Sequence, residues 1–292
     1  MKNDFLTMIE QADTIAITGH VRPDGDCVGS TVGLYNYIIS NYDKQVQIYL
    51  EEFSKDFLFL HDADKISHTP TDQVYDLCIA VDCGDKERQG DFLPIFERAK
   101  STMCVDHHIS NPGFGEVCYV DAEACSAAEA LYKLMEQGKI NKNAAEALYM
   151  GIVHDTGVFK HSNTTKSAMS IAGDLIEKGA NPSFIIDETF YKKTFVANKL
   201  LGIALTKAEQ HADGRIISTV LETEEFPKEW CRQDDTDGIV DQLRLVFFHN
   251  VEFRMHVMLL HIIYLNRTEC AKTYVKSYMG NIYPFGFHLL PE

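Results

Sequence analysis

The sequence predicts an α/β protein built on a parallel sheet. Short apolar runs in the first half are bounded by turn residues and separated by helical stretches, which is the pattern of strands joined by crossover helices. We predict strands at residues 14–18, 46–50, 77–81 and 102–105, and a helix over residues 27–40. Ligands of such sheets bind beyond the carboxyl ends of the strands, so polar residues that follow these runs are candidates for a site.

The character of the chain becomes helical after Asp121. We predict helices at residues 122–137, 143–154 and 165–178, the last ended by Gly179, and a further helix that opens at Asn181-Pro182. Residues 198–211 form a connector to a new strand at 215–221. We therefore expect a catalytic domain over residues 1–190, a helical connector over 191–212, and a smaller α/β substrate-binding domain over 213–292.

Composition limits the classes of function. The net charge of −16 gives no bulk attraction to nucleic acid, so a phosphorylated substrate must be held by metal ions and a few local cations. The eight cysteines form no C-x-x-C pair, which favours buried free thiols in a reducing compartment over a disulfide or zinc framework. Residues 1–11 do not resemble a signal peptide, and no apolar run reaches the length of a membrane span. We expect a cytoplasmic protein without a membrane partner.

The first polar cluster follows the first predicted strand. His20, Asp24 and Asp26 place an imidazole and two carboxylates within seven residues. Carboxylate and imidazole together suit Mn²⁺, Mg²⁺, Fe²⁺ or Zn²⁺. Taken alone, a surface turn that caps the next helix explains this segment equally well. Gly29 and Ser30 follow, and a substrate phosphate at the helix N-terminus or ordinary helix packing explains them equally well.

Two further clusters follow the third and fourth predicted strands. Asp82 ends an apolar run, where a carboxylate is costly unless it is paired or binds metal. Arg88 is either a phosphate clamp or a solvated surface residue. In the run Asp106-His107-His108, adjacent side chains point in opposite directions, so one histidine can bind metal while the other faces substrate, and the aspartate can orient an imidazole.

The last cluster lies at the end of a predicted helix. Asp155 precedes Thr156 and Gly157, and His154 is a weaker candidate beside it. A C-terminal helix cap is the alternative explanation for Asp155. His161 could contact substrate, although polar runs of this kind are usually loops and N-caps.

Together the clusters resemble the four motifs of the DHH phosphoesterase superfamily. The residues that carry the resemblance are His20-x-x-Pro23-Asp24-x-Asp26-x-x-Gly29-Ser30, Val81-Asp82, Asp106-His107-His108 and Asp155-Thr156-Gly157. The branch that this chain resembles most is that of bacterial nanoRNases that also act as 3′-phosphoadenosine 5′-phosphate phosphatases. The resemblance covers roughly residues 1–245, and four motifs in the same order are a specific signal.

The resemblance implies a parallel-sheet phosphoesterase domain with two divalent metal ions, Mn²⁺ in the first place and Mg²⁺ as the alternative. One ion would be held by His20, Asp24 and Asp82, and the other by Asp26, Asp82, His107 and Asp155. His108 would contact the scissile phosphate or the leaving group. From the residues and the resemblance together, we predict Asp82, Asp106 and His108 as catalytic residues, and Ser30, Arg88, His108 and His161 as substrate contacts. The implied substrates are short RNA oligonucleotides or a bisphosphorylated adenosine nucleotide rather than a stable nucleic-acid duplex, and a homodimer is left open.

The resemblance ends after about residue 245. The family's second domain closes with a Gly-Gly-Gly-His segment that holds the substrate, whereas this chain has only Gly286-x-His288 near its end. We therefore expect the second domain to be atypical or incomplete, residues 246–292 to pack poorly, and substrate affinity to be weak. Two alternatives stay open: another phosphohydrolase of this superfamily, which cleaves a cyclic or linear dinucleotide or pyrophosphate, and a catalytically weak nucleotide-binding chain.

Overall fold

The computed structural model describes residues 2–211, 216–221, 233–236, 238–244 and 257–261. The chain divides into two compact units between Lys192 and Lys193. The functions assigned above to the domains remain predictions.

A five-stranded parallel sheet forms the centre of the first unit. Its strands are β1 (Thr14–Thr18), β2 (Gln45–Tyr49), β3 (Leu77–Val81), β4 (Ser101–Asp106) and β5 (Val117–Val120). They lie in the order β2-β1-β3-β4-β5, and every neighbouring pair is parallel. The predicted α/β class is confirmed. The strand β5 was not predicted from the sequence; its four residues, VCYV, are all half-buried in the structure.

Helices cover the sheet. In the first unit they are α1 (Lys2–Gln11), α2 (Gly25–Asn41), α3 (Leu93–Arg98), α4 (Ala127–Leu134), α5 (Lys142–Asp155), α6 (Lys166–Glu177) and α7 (Pro182–Ile186). The predicted helix at 122–137 is shorter in the structure, because the Ser126 hydroxyl accepts a hydrogen bond from the Glu129 amide and starts α4 there. Gly179 follows α6 with a φ of 108°, as expected of a helix-ending glycine.

The helices α2 and α5 pack closely against each other. A Cβ atom at Gly29 would lie 2.6 Å from the Ala147 carbonyl oxygen, and one at Gly33 would lie 2.8 Å from the Leu148 side chain. These glycines let two backbones approach, so Gly29 serves helix packing. The close packing fixes the first turn of α2 against the last turns of α5, and both turns carry candidate site residues.

The second unit contains a separate small sheet. Its elements are α8 (Phe195–Thr206), β6 (Glu209–His211), β7 (Ile216–Val220), α9 (Ile239–Arg244) and β8 (Val257–His261). Strand β7 pairs antiparallel with β6 and parallel with β8. The expectation of poor packing over residues 246–292 meets the described residues only at β8, and its remainder lies outside them. In the described part of the chain, no helix is long and apolar enough to cross a membrane.

Candidate metal centre

The site lies where the strand order reverses. The chain runs from β1 outward to β2 and then returns to place β3 on the other side of β1, so loops diverge between the carboxyl ends of β1 and β3. His20 follows β1, Asp82 follows β3, and His107 follows β4. Asp26 lies in the first turn of α2 and Asp155 ends α5, which packs against α2. The topology therefore brings together residues that lie far apart in the sequence.

His20 presents one ring nitrogen to the site. Its Nδ1 lies 2.9 Å from the carbonyl oxygen of Val21, so Nδ1 carries the hydrogen and Nε2 is left as the acceptor. Nε2 lies 3.4 Å from an Asp82 oxygen and 3.7 Å from Oδ1 of Asp24. Asp24 is also the N-cap of α2, because Oδ1 accepts hydrogen bonds from the amides of Asp26 and Cys27. The helix cap considered from the sequence is therefore real, and it holds Asp24 beside His20.

Asp26 is fully buried and is held by a second helix. One carboxylate oxygen accepts the Ala127 amide at 2.6 Å and the other accepts the Ala128 amide at 3.1 Å, in the first turn of α4. Gly151 leaves space for this carboxylate, since a Cβ there would lie 2.6 Å from the Asp26 Oδ1. The amides and the helix dipole favour the charged carboxylate, but burial and the charges of Asp82 and Asp155 outweigh them and raise the pKa of Asp26 well above its ordinary value.

Asp82 lies between the two histidines that face the site. Its Oδ2 is 3.4 Å from His20 Nε2, and its Oδ1 is 3.5 Å from His107 Nε2. The residue is only 2% exposed, and among the described residues its Oδ1 has no hydrogen-bond partner. The backbone of Asp82 has a φ of 59°, a left-handed conformation that costs a non-glycine residue on the order of 1–3 kcal/mol. A strained, buried carboxylate with an unsatisfied oxygen is suited to a cation.

His107 is surrounded by carboxylates. Its Nε2 lies 3.3 Å from Asp155, 3.5 Å from Asp82 and 3.9 Å from Asp26. Burial lowers the pKa of His107, but the contact with Asp82 and the charges of Asp26, Asp82 and Asp155 outweigh it and raise the pKa to about 10. Burial and the charge of Asp82 raise the pKa of Asp155 to about 7. In metal-free protein, protons on His107 and Asp155 therefore offset the negative charge of the cluster that a metal ion would otherwise offset.

These residues fit the expected ions. The described residues contain three groups whose ligand atoms lie within 4.8 Å of one another: Asp82, Asp106, His107 and His108; His20, Cys27 and Asp82; and Asp26, His107 and Asp155. Asp82 belongs to two of the groups, which matches the position of a bridging ligand. Imidazole and carboxylate donors, an open Nε2 on His20 and the unsatisfied oxygen of Asp82 together suit divalent metal.

His108 is oriented by its neighbours. Its Nδ1 lies 2.7 Å from Asp106 Oδ1, and the other oxygen of Asp106 accepts a hydrogen bond of 2.7 Å from the Asn111 amide. The hydrogen bond to Asp106 raises the pKa of His108. Asp106 is fully buried and thus fixes the ring with Nε2 turned away from it. The sequence analysis did not predict a role for Asn111. Its position in a loop, three residues after His108, was the one feature that could have indicated this role.

The other three predicted substrate contacts differ in their exposure. Ser30 is fully buried in the second turn of α2, which begins at Gly25, and its hydroxyl donates to the Cys27 carbonyl. Its contact with substrate stays a prediction. The side chain of Arg88 is exposed, and its carbonyl accepts the Val21 amide beside His20. His161 is exposed, with Nδ1 3.4 Å from the carbonyl oxygen of Asp155.

The neighbouring residue His154 takes no part in the cluster. It packs edge-on against Phe57 and lies against Gly25, where a Cβ would clash with its ring. Burial lowers its pKa to about 4, so it is neutral.

An open pocket of about 500 Å³ adjoins the site. It is lined by His107, His108, Ile109, Ser110, Ala122, Ala124, Cys125 and Asn163. The two histidines form its border with the cluster of carboxylates, and small apolar side chains form much of the rest.

The described cysteines are all free, as predicted, and all except the half-buried Cys118 are buried.

The comparisons with known proteins agree on one family. Residues 14–152 match the family described as DHH family, N-terminal domain. The bifunctional oligoribonuclease and PAP phosphatase NrnA of Bacillus subtilis is 30% identical over 219 residues, which are 73% of this chain and 68% of that protein. A probable NrnA of Streptococcus mutans is 33% identical over 177 residues, which are 59% of this chain and 55% of that protein.

A solved structure shares the fold. The exopolyphosphatase-related protein from Bacteroides fragilis has a TM-score of 0.74 and 22% sequence identity, with 84% of this chain and 76% of that chain covered.

Proposed function

Since the chain belongs to the DHH family, within the branch of the NrnA-type proteins, we propose that it is a metal-dependent phosphoesterase with two kinds of substrate. It hydrolyses short oligoribonucleotides to nucleoside monophosphates, and 3′-phosphoadenosine 5′-phosphate to AMP and phosphate. The observation that carries the proposal is the position of Asp82. This strained, buried carboxylate lies between His20 and His107, and its Oδ1 lacks a hydrogen-bond partner in the described part of the chain.

The proposal assigns two ions to this site. His20, Asp24 and Asp82 hold one of them, and Asp26, Asp82, His107 and Asp155 hold the other. We propose Mn²⁺ for both positions, with Mg²⁺ as the alternative. Two such ions stabilise the charge of a phosphoryl group and make a water molecule nucleophilic at neutral pH.

The chain's own groups contribute proton transfer and orientation. Asp106 and Asn111 hold His108 so that its Nε2 faces away from Asp106 and toward the bound phosphate. The hydrogen bond to Asp106 raises the pKa of His108 and so favours the protonated ring, which can donate its proton to the leaving oxygen. The proposal assigns contacts with phosphate or sugar oxygens to Arg88 and His161, whose side chains are exposed.

The pocket beside His107 and His108 accepts the nucleoside adjoining the scissile phosphate. Its apolar side chains can pack against a flat base, and its open shape can accept the unpaired base of a single strand. The acidic net charge of the chain favours short substrates, since long nucleic acid is repelled.

The test is a Mn²⁺-supplemented assay of the purified chain against four substrates: a diribonucleotide, 3′-phosphoadenosine 5′-phosphate, a cyclic dinucleotide and pyrophosphate. We expect hydrolysis of the first two. Asp82→Ala should abolish this hydrolysis with little loss of fold in metal-free buffer, whereas Asp64→Ala, which removes an exposed carboxylate, should retain it. Turnover of only the cyclic dinucleotide or pyrophosphate would favour another DHH-type phosphohydrolase. Nucleotide binding without any turnover would favour a catalytically weak chain.

A further inference from the structure

An asparagine in the wall of the pocket beside the metal centre has a fixed amide orientation. Asn163 lines this pocket together with His107 and His108. Its Nδ2 donates to the carbonyl oxygen of Asp155 at 3.1 Å and to the carbonyl oxygen of Cys125 at 3.2 Å. Carbonyl oxygens only accept hydrogen bonds, so the atom that faces them must be the amide nitrogen and not the amide oxygen.

This arrangement leaves the amide oxygen of Asn163 without a partner in the protein. Both hydrogens of Nδ2 are used by the two carbonyls, and among the described residues none donates a hydrogen bond to Oδ1. The backbone on its carboxyl side is also held, because the Thr164 amide donates to the His161 carbonyl and Thr165 is the N-cap of α6. The side chain is exposed, so the pocket has a fixed acceptor that a bound molecule can reach.

The anchor of Asn163 places this acceptor at the edge of the metal centre. Asp155 is one of the metal ligands of the proposed function, and Asn163 is bonded to its main chain. The acceptor is therefore closer to the position of the scissile phosphate than to the far end of the pocket. In a nucleotide that is cleaved at its 3′-phosphate, the ribose 2′-hydroxyl is the nearest hydrogen-bond donor to that phosphate, and the donors of the base lie farther away.

We propose that Oδ1 of Asn163 accepts a hydrogen bond from the 2′-hydroxyl of the ribose that carries the leaving 3′-oxygen. Both substrates of the proposed function, on which this inference rests, have this hydroxyl, because each is cleaved between phosphorus and a ribose 3′-oxygen. A deoxyribose lacks the donor and leaves the acceptor without a partner. The contact therefore selects ribonucleotides over deoxyribonucleotides.

The test compares 3′-phosphoadenosine 5′-phosphate with its 2′-deoxy analogue in the Mn²⁺-supplemented assay of the full chain. For the wild-type protein we expect kcat/KM to be roughly 3–10-fold higher with the ribose substrate, the effect of one hydrogen bond between neutral groups. Asn163→Ala should remove this preference. Ser162→Ala is the matched control, because it removes an exposed hydroxyl from the neighbouring residue and should keep the preference.

The ratio of kcat/KM for the two substrates separates this contact from a structural role. Asn163 also supports the main chain of Asp155, and loss of that support would slow both substrates equally and leave the ratio unchanged. A preference that survives in Asn163→Ala would overturn the proposal, and so would a wild-type protein that hydrolyses both substrates equally well. If the wild-type protein hydrolyses neither substrate, the proposed function itself is wrong.

A second variant decides the question if Asn163→Ala does not fold. Asn163→Gln keeps both amide groups but adds a methylene, so the side chain cannot place its nitrogen and its oxygen where Asn163 places them. The ratio should again fall toward one, and an unchanged ratio would refute the proposal.

Discussion

Neutralising Asp155 should stabilise the metal-free protein. Its carboxyl has a pKa of about 7 in the folded state against an ordinary value of 3.8, because burial and the charge of Asp82 disfavour ionisation. As pH rises from about 4 to 7, the unfolded chain releases this proton before the folded chain does. The free energy of unfolding therefore falls across this window, and the full penalty is present above pH 7.

The size of the effect follows from the two pKa values. Their difference of about three corresponds to about 4 kcal/mol at most. The side chain is 25% exposed, which screens part of the penalty, and its carboxylate also attracts His107 at 3.3 Å, an attraction that Asp155→Asn removes. We expect Asp155→Asn to raise the free energy of unfolding at pH 8 by about 2 kcal/mol, and to have little effect at pH 4.

The assay is amide hydrogen exchange of β3 and β4 in the presence of a chelator, since these strands report on the first unit alone. Glu97→Gln is the control; it removes an exposed carboxylate paired with Lys86 and should change stability by less than about 0.5 kcal/mol. Added Mn²⁺ should stabilise the wild-type protein more than Asp155→Asn. A variant that is no more stable than wild type at pH 8, or equally stabilised at pH 4 and 8, would refute the electrostatic reasoning.

Two further predictions concern the proton donor and the helix contact. His108→Ala should lower turnover on the order of 10²–10³-fold while bound metal, measured by elemental analysis, stays unchanged; loss of metal with full turnover after its restoration would contradict the role of His108. Gly151→Ala should destabilise the protein by about 1–3 kcal/mol in urea titrations, because the new Cβ would lie 2.7 Å from the Ala128 Cβ. Gly173→Ala, where a Cβ meets nothing within 4 Å, should instead stabilise it by about 0.5–1 kcal/mol, and equal effects of the two substitutions would exclude a packing cause.

The sequence predicted four of the five strands of the sheet, and the signal was clearest in the central strand β3, which is apolar throughout. The run Leu77–Val81 is buried at all five positions, as expected of a strand covered by helices on both faces, and its predicted bounds agree with the structure. The polar residues that follow such strands meet at one edge for a topological reason. The meeting of Asp82 with His20 and His107 could therefore be expected before any coordinates.

The parts that sequence reasoning missed depend on contacts between elements. The start of α2 depends on the N-cap at Asp24, which places Ser30 in the second turn of the helix. The role of Asn111 depends on a loop that folds back on Asp106, and no periodic pattern marks such a loop.

The distribution of the carboxylates in the site explains why cations are needed beside Asp82. Two of its carboxylates are compensated by the protein: Asp24 by the N-terminus of α2, and Asp106 by His108 and Asn111. Asp26 accepts two amides of α4, but burial and the charge of Asp82 still raise its pKa well above the ordinary value. Asp82 and Asp155 have no helix terminus facing them among these contacts, and they raise each other's free energy through their like charges. Both face His107, and Asp82 also faces His20. The neighbouring charges and hydrogen bonds raise the pKa of both histidines despite burial, so protons on these two rings flank Asp82 in the metal-free protein. In the proposed function, two ions that share the Asp82 carboxylate would supply this positive charge instead.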